Sequence, residues 1–169
     1  LLLFGIDKKK ELFLARDRYG IKPLYYSSQG SKFIFGSEQR VICSYPGFNK
    51  KVNKEALLEY FTFQNIFTKQ TLLEDIFILP AGHYGILKYR EDNKNTDLKI
   101  YNYWDYHFSN PTKEVDRSEY EEELNRLFIQ AVKRQLISDV ELGSYLSGGI
   151  DSGSIVALAS RNFPYLKTF

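Results

Sequence analysis

Six consecutive residues, Ser147-Gly148-Gly149-Ile150-Asp151-Ser152, combine the residue types that grip a polyphosphate. Gly148 and Gly149 carry no Cβ, so an anion can approach the main chain closely. Ser147 and Ser152 add hydroxyl donors. Asp151 repels a phosphate directly but can hold a Mg2+ ion that binds one. The apolar stretch Leu142 to Leu146 reads as a buried strand, and Ser154 to Ser160 reads as a helix. A glycine-rich turn between strand and helix aims several free backbone N–H groups at one point, where the helix dipole adds partial positive charge. This is equipment for a triphosphate. The loop has neither the Lys nor the spacing of a Walker A motif, and it is not G-x-G-x-x-G. A plainer role for the same residues is a Ser-Gly turn opening an ordinary helix, with Asp151 or Ser152 as N-cap.

Other reactive side chains read as scaffold. Arg16, Asp17, Arg18 and Lys22 crowd a strand-to-turn transition, where paired charges serve structural ion pairs more often than catalysis. Gly20 supplies a backbone turn there, and Pro23 stiffens the entry to the next strand. Cys43 is the single cysteine and has no nearby His, so it reads as a packed thiol; no internal disulfide can form, and a reducing cytoplasm is expected. His83 sits in a turn and His107 in a polar stretch, and two distant His with one Cys make no metal site. Trp104 and its Tyr neighbours are expected to pack between domains.

The elements that must position these residues fall into two groups. Leu1 to Asp7 and Glu11 to Asp17 read as strands around a Lys-rich turn, and Pro23 to Ser28 and Lys32 to Ser37 as a second pair around Gln29-Gly30-Ser31. Together they suggest an antiparallel meander. Asn53 caps a helix whose Ala56, Leu57, Tyr60 and Phe61 share a face. Phe77 to Leu79, His83 to Arg90 and Lys99 to Tyr106 read as further strands, with 92–97 a polar loop. His107 to Arg117 carries no periodicity and reads as a linker. Ser118 with Glu121 suggests a capping box for a helix. Its Tyr120, Leu124, Leu127, Phe128, Ala131, Val132 and Leu136 line one face, with acids in the first turn and Lys133 and Arg134 near the last. Helix, strand, loop, helix, strand is the opening of a doubly wound α/β domain, whose ligands bind at the carboxyl ends of the strands.

Composition bounds the rest. A chain of 169 residues with 43% hydrophobic content can build a packed core, and 13 Tyr with 13 Phe favour sheet. The formal charge of +2 gives no basic stripe, so nucleic-acid binding is not expected; Lys8-Lys9-Lys10 reads as a solvated hairpin tip. No apolar run approaches a membrane span, and no signal peptide is visible. The chain has no Met and opens on Leu1-Leu2-Leu3-Phe4, and Tyr165 to Phe169 reads as a strand just beginning, so it reads as an internal fragment.

The S-G-G-I-D-S loop resembles that of the PP-loop ATP pyrophosphatases. Leu14 to Tyr26 (LARDRYGIKPLYY) resembles the A-R-D-x-x-G-x-K-P-L-Y-Y signature of class II glutamine amidotransferases, and Phe35-Gly-Ser-Glu38 the F-A-S-E that follows it. Leu79-Pro-Ala-Gly-His83 and Tyr103-Trp104 resemble the segment joining the glutaminase to the synthetase domain. In this order the motifs resemble the glutamine-hydrolysing asparagine synthetase family. The resemblance implies residues 1–106 as the C-terminal portion of an α+β N-terminal-nucleophile amidotransferase sandwich, 107–117 as linker, and 118–169 as the start of an α/β doubly wound PP-loop domain. It implies ATP-dependent conversion of aspartate to asparagine through β-aspartyl-AMP, with glutamine as nitrogen donor and AMP, pyrophosphate and glutamate released. ATP and Mg2+ are the implied cofactors, with Ser147, Gly148, Gly149, Asp151 and Ser152 on ATP, Leu146 touching adenosine through its main chain, and Asp151 serving the metal through the pyrophosphate. The nucleophilic N-terminal Cys and the glutamine-holding residues lie upstream of Leu1, so no catalytic residue is assigned. A homodimer is the implied assembly of the parent. A related amide-forming ligase, such as a β-lactam synthetase or an amidotransferase for another carboxylate, and a catalytically dead scaffold remain alternatives.

Overall fold

The computed structural model describes residues 2–6 as backbone and residues 11–88, 97–109 and 116–169 in full. The chain divides into two compact units, Leu1–His107 and Phe108–Phe169.

The first unit is antiparallel β with short helices. Strands β1 (Leu2–Ile6) and β2 (Glu11–Ala15) form the expected hairpin, as do β3 (Tyr25–Gln29) and β4 (Lys32–Gly36). They do not continue into one meander. The first hairpin joins β6 (His83–Lys88) and β7 (Asp97–Asn102) in the order β1-β2-β6-β7, while the second joins β5 (Phe77–Ile78) in the order β4-β3-β5. The chain changes sheet between Arg16 and Leu24, where the turn residues interrupt the strand pattern. The strand expected over residues 99–106 runs instead over Asp97–Asn102. The 7–10 hairpin tip, most of the 92–97 loop and residues 110–115 of the linker lie outside the described residues.

Alternation explains the packing. Leu12 and Leu14 of β2 and Leu98 and Ile100 of β7 meet Tyr26, Phe33, Phe35 and Phe77 of the other sheet around buried Leu24 and Leu79. The residues between them, Phe13, Tyr84 and Tyr101, stack in a ladder on the opposite face, with centroids 5.4 and 5.1 Å apart. The far face of the second sheet packs under α1 (Gln39–Cys43), a helix the sequence reading missed; Ile42, Phe48 and Ile76 are its buried centre. Cys43 lies half-buried against this cluster, as a packed thiol should. Helix α2 (Lys54–Phe63) starts as expected: Asn53 Oδ1 accepts from the N–H groups of Glu55 and Ala56, both at 3.1 Å.

In the second unit, α3 spans Arg117–Gln135. Its N-cap is Asp116, which accepts from Ser118 N–H at 3.4 Å, so Ser118 lies inside the helix and the expected capping box is not used. Glu121 instead bonds Arg117 one turn back, at 2.7 Å. Glu119 in the first turn and Lys133 and Arg134 in the last match the dipole as expected. The apolar stripe is largely uncovered: Val132 is buried, while Tyr120, Leu124 and Leu127 are exposed. The expected strand over residues 142–146 contracts to β8 (Gly143–Ser144), which pairs in parallel with β9 (Lys167–Thr168). The stretch is not buried: Leu142 and Ser144 are half-buried, and Tyr145, just past β8, is 83% exposed. Helix α4 covers Ile150–Ala159 rather than starting at Ser154, so half of the glycine loop is its first turn. No helix among the described residues is long and apolar enough to cross a membrane.

Candidate functional site

The charged turn of the first unit is built for structure by a route other than the expected ion pairs. The Arg16 guanidinium donates to three carbonyls: Gly20 at 2.6 Å, Leu79 at 2.8 Å and Lys22 at 3.1 Å. Asp17 accepts from three backbone N–H groups, Ile21 at 3.0 Å, Lys22 at 3.1 Å and Tyr19 at 3.2 Å. Desolvation pushes the Asp17 carboxyl up, and those N–H groups overcome it, leaving it below its ordinary value. Burial lowers the Arg16 guanidinium, partly opposed by Asp17 and Tyr25. Gly20 sits at φ +65°, where a Cβ would come within 2.7 Å of Arg16 Nη2, so glycine is required. Arg18 lies 5.9 Å over Trp104, whose ring meets Tyr19 and Tyr106 edge-on, all within the first unit. His83 Nδ1 lies 2.7 Å from the Ala81 carbonyl, a turn contact.

The phosphate-type loop is arranged differently. Leu146 N–H donates to Phe169 O at 2.9 Å, and Phe169 N–H to Ser144 O at 3.1 Å, so β9 fixes the strand end from which the loop departs. Gly148 then turns at φ +82°, and nothing lies within 4 Å of the position its Cβ would take. At Gly149 a Cβ would meet only Ser147 Oγ, at 3.6 Å. Gly149 is the N-cap of α4 and has no side chain to cap it, so the N–H groups that the first turn cannot pair internally receive no side-chain acceptor. Neither Asp151 nor Ser152 is the N-cap. Asp151 stands in the first turn, exposed. Ser147 and Ser152 are brought together, their Oγ atoms 3.0 Å apart.

Of the expected site residues, Ser147, Gly148, Gly149, Asp151 and Ser152 therefore lie together at one helix start with open space over Gly148, and Leu146 leads into it at 44% exposure rather than buried. Open space over Gly148, uncapped N–H groups and two hydroxyls fit a polyphosphate. The exposed Asp151 carboxylate is a hard oxygen donor suited to Mg2+ shared with that phosphate. No group of three or more His, Cys, Asp or Glu that could hold a metal by itself occurs among the described residues.

Comparison with known proteins then decides the family. Residues 3–104 match the glutamine amidotransferase domain model. The chain belongs to that family. Residues 123–169 of this amidotransferase chain match the asparagine synthase model. It is 35% identical over 158 residues to asparagine synthetase [glutamine-hydrolyzing] 3 of Bacillus subtilis, covering 93% of this chain and 24% of that relative. Asparagine synthetase [glutamine-hydrolyzing] 1 of the same organism is 34% identical over 159 residues, covering 94% and 24%. Amidase chry2 of Gibberella zeae is 31% identical over 157 residues, covering 92% and 22%. The chain thus spans about a quarter of the length of these curated relatives.

Proposed function

We propose that this chain is part of a glutamine-dependent asparagine synthetase, with Ser147–Ser152 as its ATP phosphate site. The observation that carries the reading is the combination, in one chain, of an amidotransferase segment with an open, uncapped glycine loop inside the asparagine synthase segment. Residues 1–106 are then the C-terminal portion of an N-terminal-nucleophile sandwich, and 118–169 the opening of a doubly wound PP-loop domain.

Chemically, a carboxylate is a poor acyl donor until it carries a good leaving group. The aspartate side-chain oxygen attacks the α-phosphorus of ATP, the bond from that phosphorus to the bridging oxygen breaks, and pyrophosphate leaves with the electron pair. Ammonia released from glutamine then attacks the acyl carbon of β-aspartyl-AMP, and AMP departs. The loop residues serve the first step. The N–H groups at the start of α4 and the serine hydroxyls hold the β- and γ-phosphates, and Gly148 lets them approach the main chain. Asp151 would hold Mg2+, which supplies charge neutralisation for the leaving pyrophosphate. Leu146, whose N–H donates to the Phe169 carbonyl, has its own carbonyl left with which to meet the nucleoside. The parent acts on small molecules in the cytoplasm, and neither nucleic acid nor membrane enters the reading.

The amidase of Gibberella zeae, a relative whose name refers to amide chemistry and not to asparagine, motivates a second reading, a related amide-forming ligase for another carboxylate. One experiment addresses both. In the full-length protein, Asp151→Ala should lower ATP-dependent asparagine formation at least about a hundredfold while glutamine hydrolysis persists. Equal synthesis by wild type and variant would sink the site assignment, and amide formation on a different carboxylate would select the second reading.

A further inference from the structure

We draw no further inference here: the strongest candidate, the apolar surface patch at the end of α2 and in the loop after it, where Leu58, Phe61, Phe63 and Phe67 stand exposed, carries none, because nothing in the structure shows what covers it.

Discussion

In the turn from Arg16 to Lys22, one guanidinium satisfies three carbonyls and one carboxylate satisfies three N–H groups, so the charges are consumed by the backbone they organise. In the loop from Ser147 to Ser152, the helix start is uncapped and the space over Gly148 is open. Both stretches are rich in polar residues and both pivot on a glycine with positive φ. They differ in what remains unspent. A cluster of charges announces a site only where donors or acceptors are left over after the fold has taken its share, and by that measure the first is a clamp and the second a receptor.

The comparison can be broken most directly at Arg16. Arg16→Ala leaves three carbonyls without their donor and should destabilise the first unit by about 3 kcal/mol or more, with Mg-ATP binding in the second unit unchanged. A denaturant titration and a calorimetric titration of the same variant check both halves. Arg16→Lys should recover little, since an ammonium cannot fork to three separated acceptors. Nucleotide binding that fell along with stability would show that the two regions are not independent.

Gly148→Ala is the reciprocal variant. Its φ of +82° should cost roughly 1–2 kcal/mol of strain, without a clash, because the space is empty. Binding of Mg-ATP should suffer more than the melting midpoint of the second unit does, since the added methyl occupies the space proposed for phosphate. A variant that melts lower yet binds normally would return this glycine to the role of an ordinary turn.

A pH titration sharpens the clamp side. The Asp17 carboxyl lies below its ordinary value in the fold, so its contribution is fully present above the unfolded value of about 3.8 and is lost as pH falls through the lower folded value. Acid unfolding of the first unit should therefore steepen below that point, and Asp17→Asn should flatten this limb. The smallest effect is expected at Ser27, a β3 residue 1% exposed whose Oγ has no partner. Ser27→Ala should leave stability within about 0.5 kcal/mol of wild type or raise it slightly, because no hydrogen bond is lost and a buried polar atom is removed.

Much of this was legible in the residues. Both hairpins follow from alternation around turn residues, and the Asn53 cap from the residue type at a helix start. The loop was legible in composition and order. The division of the hairpins between two sheets was not, because it is decided by pairing β2 with β6, more than sixty residues away, for which local pattern carries no signal. Arg16 was misjudged for the same reason: its reading as an ion-pair partner looked to nearby Asp17, while one of its acceptors is the carbonyl of Leu79. Helix α1 escaped notice because it is five residues long and Glu38 makes no side-chain cap. At α3, Asp116 and Ser118 are both good capping types, and only the backbone conformation chooses Asp116. The extent of β8 depends on how many strands flank it, which apolar character alone cannot report.

The tie between Tyr103 and Arg16 also sets an order of events during synthesis. The Tyr103 hydroxyl donates to the Arg16 carbonyl across 87 positions of sequence, and Gly82 O accepts from both Tyr103 and Trp104. A ribosome adding about 5–20 residues per second needs roughly 4–17 s to travel that distance. Throughout that interval the amidotransferase segment is emerging without this fastener. The nascent hairpins must wait, with their aromatic faces accessible to chaperones, until the segment just past β7 that carries Tyr103 clears the exit tunnel and ties back to Arg16.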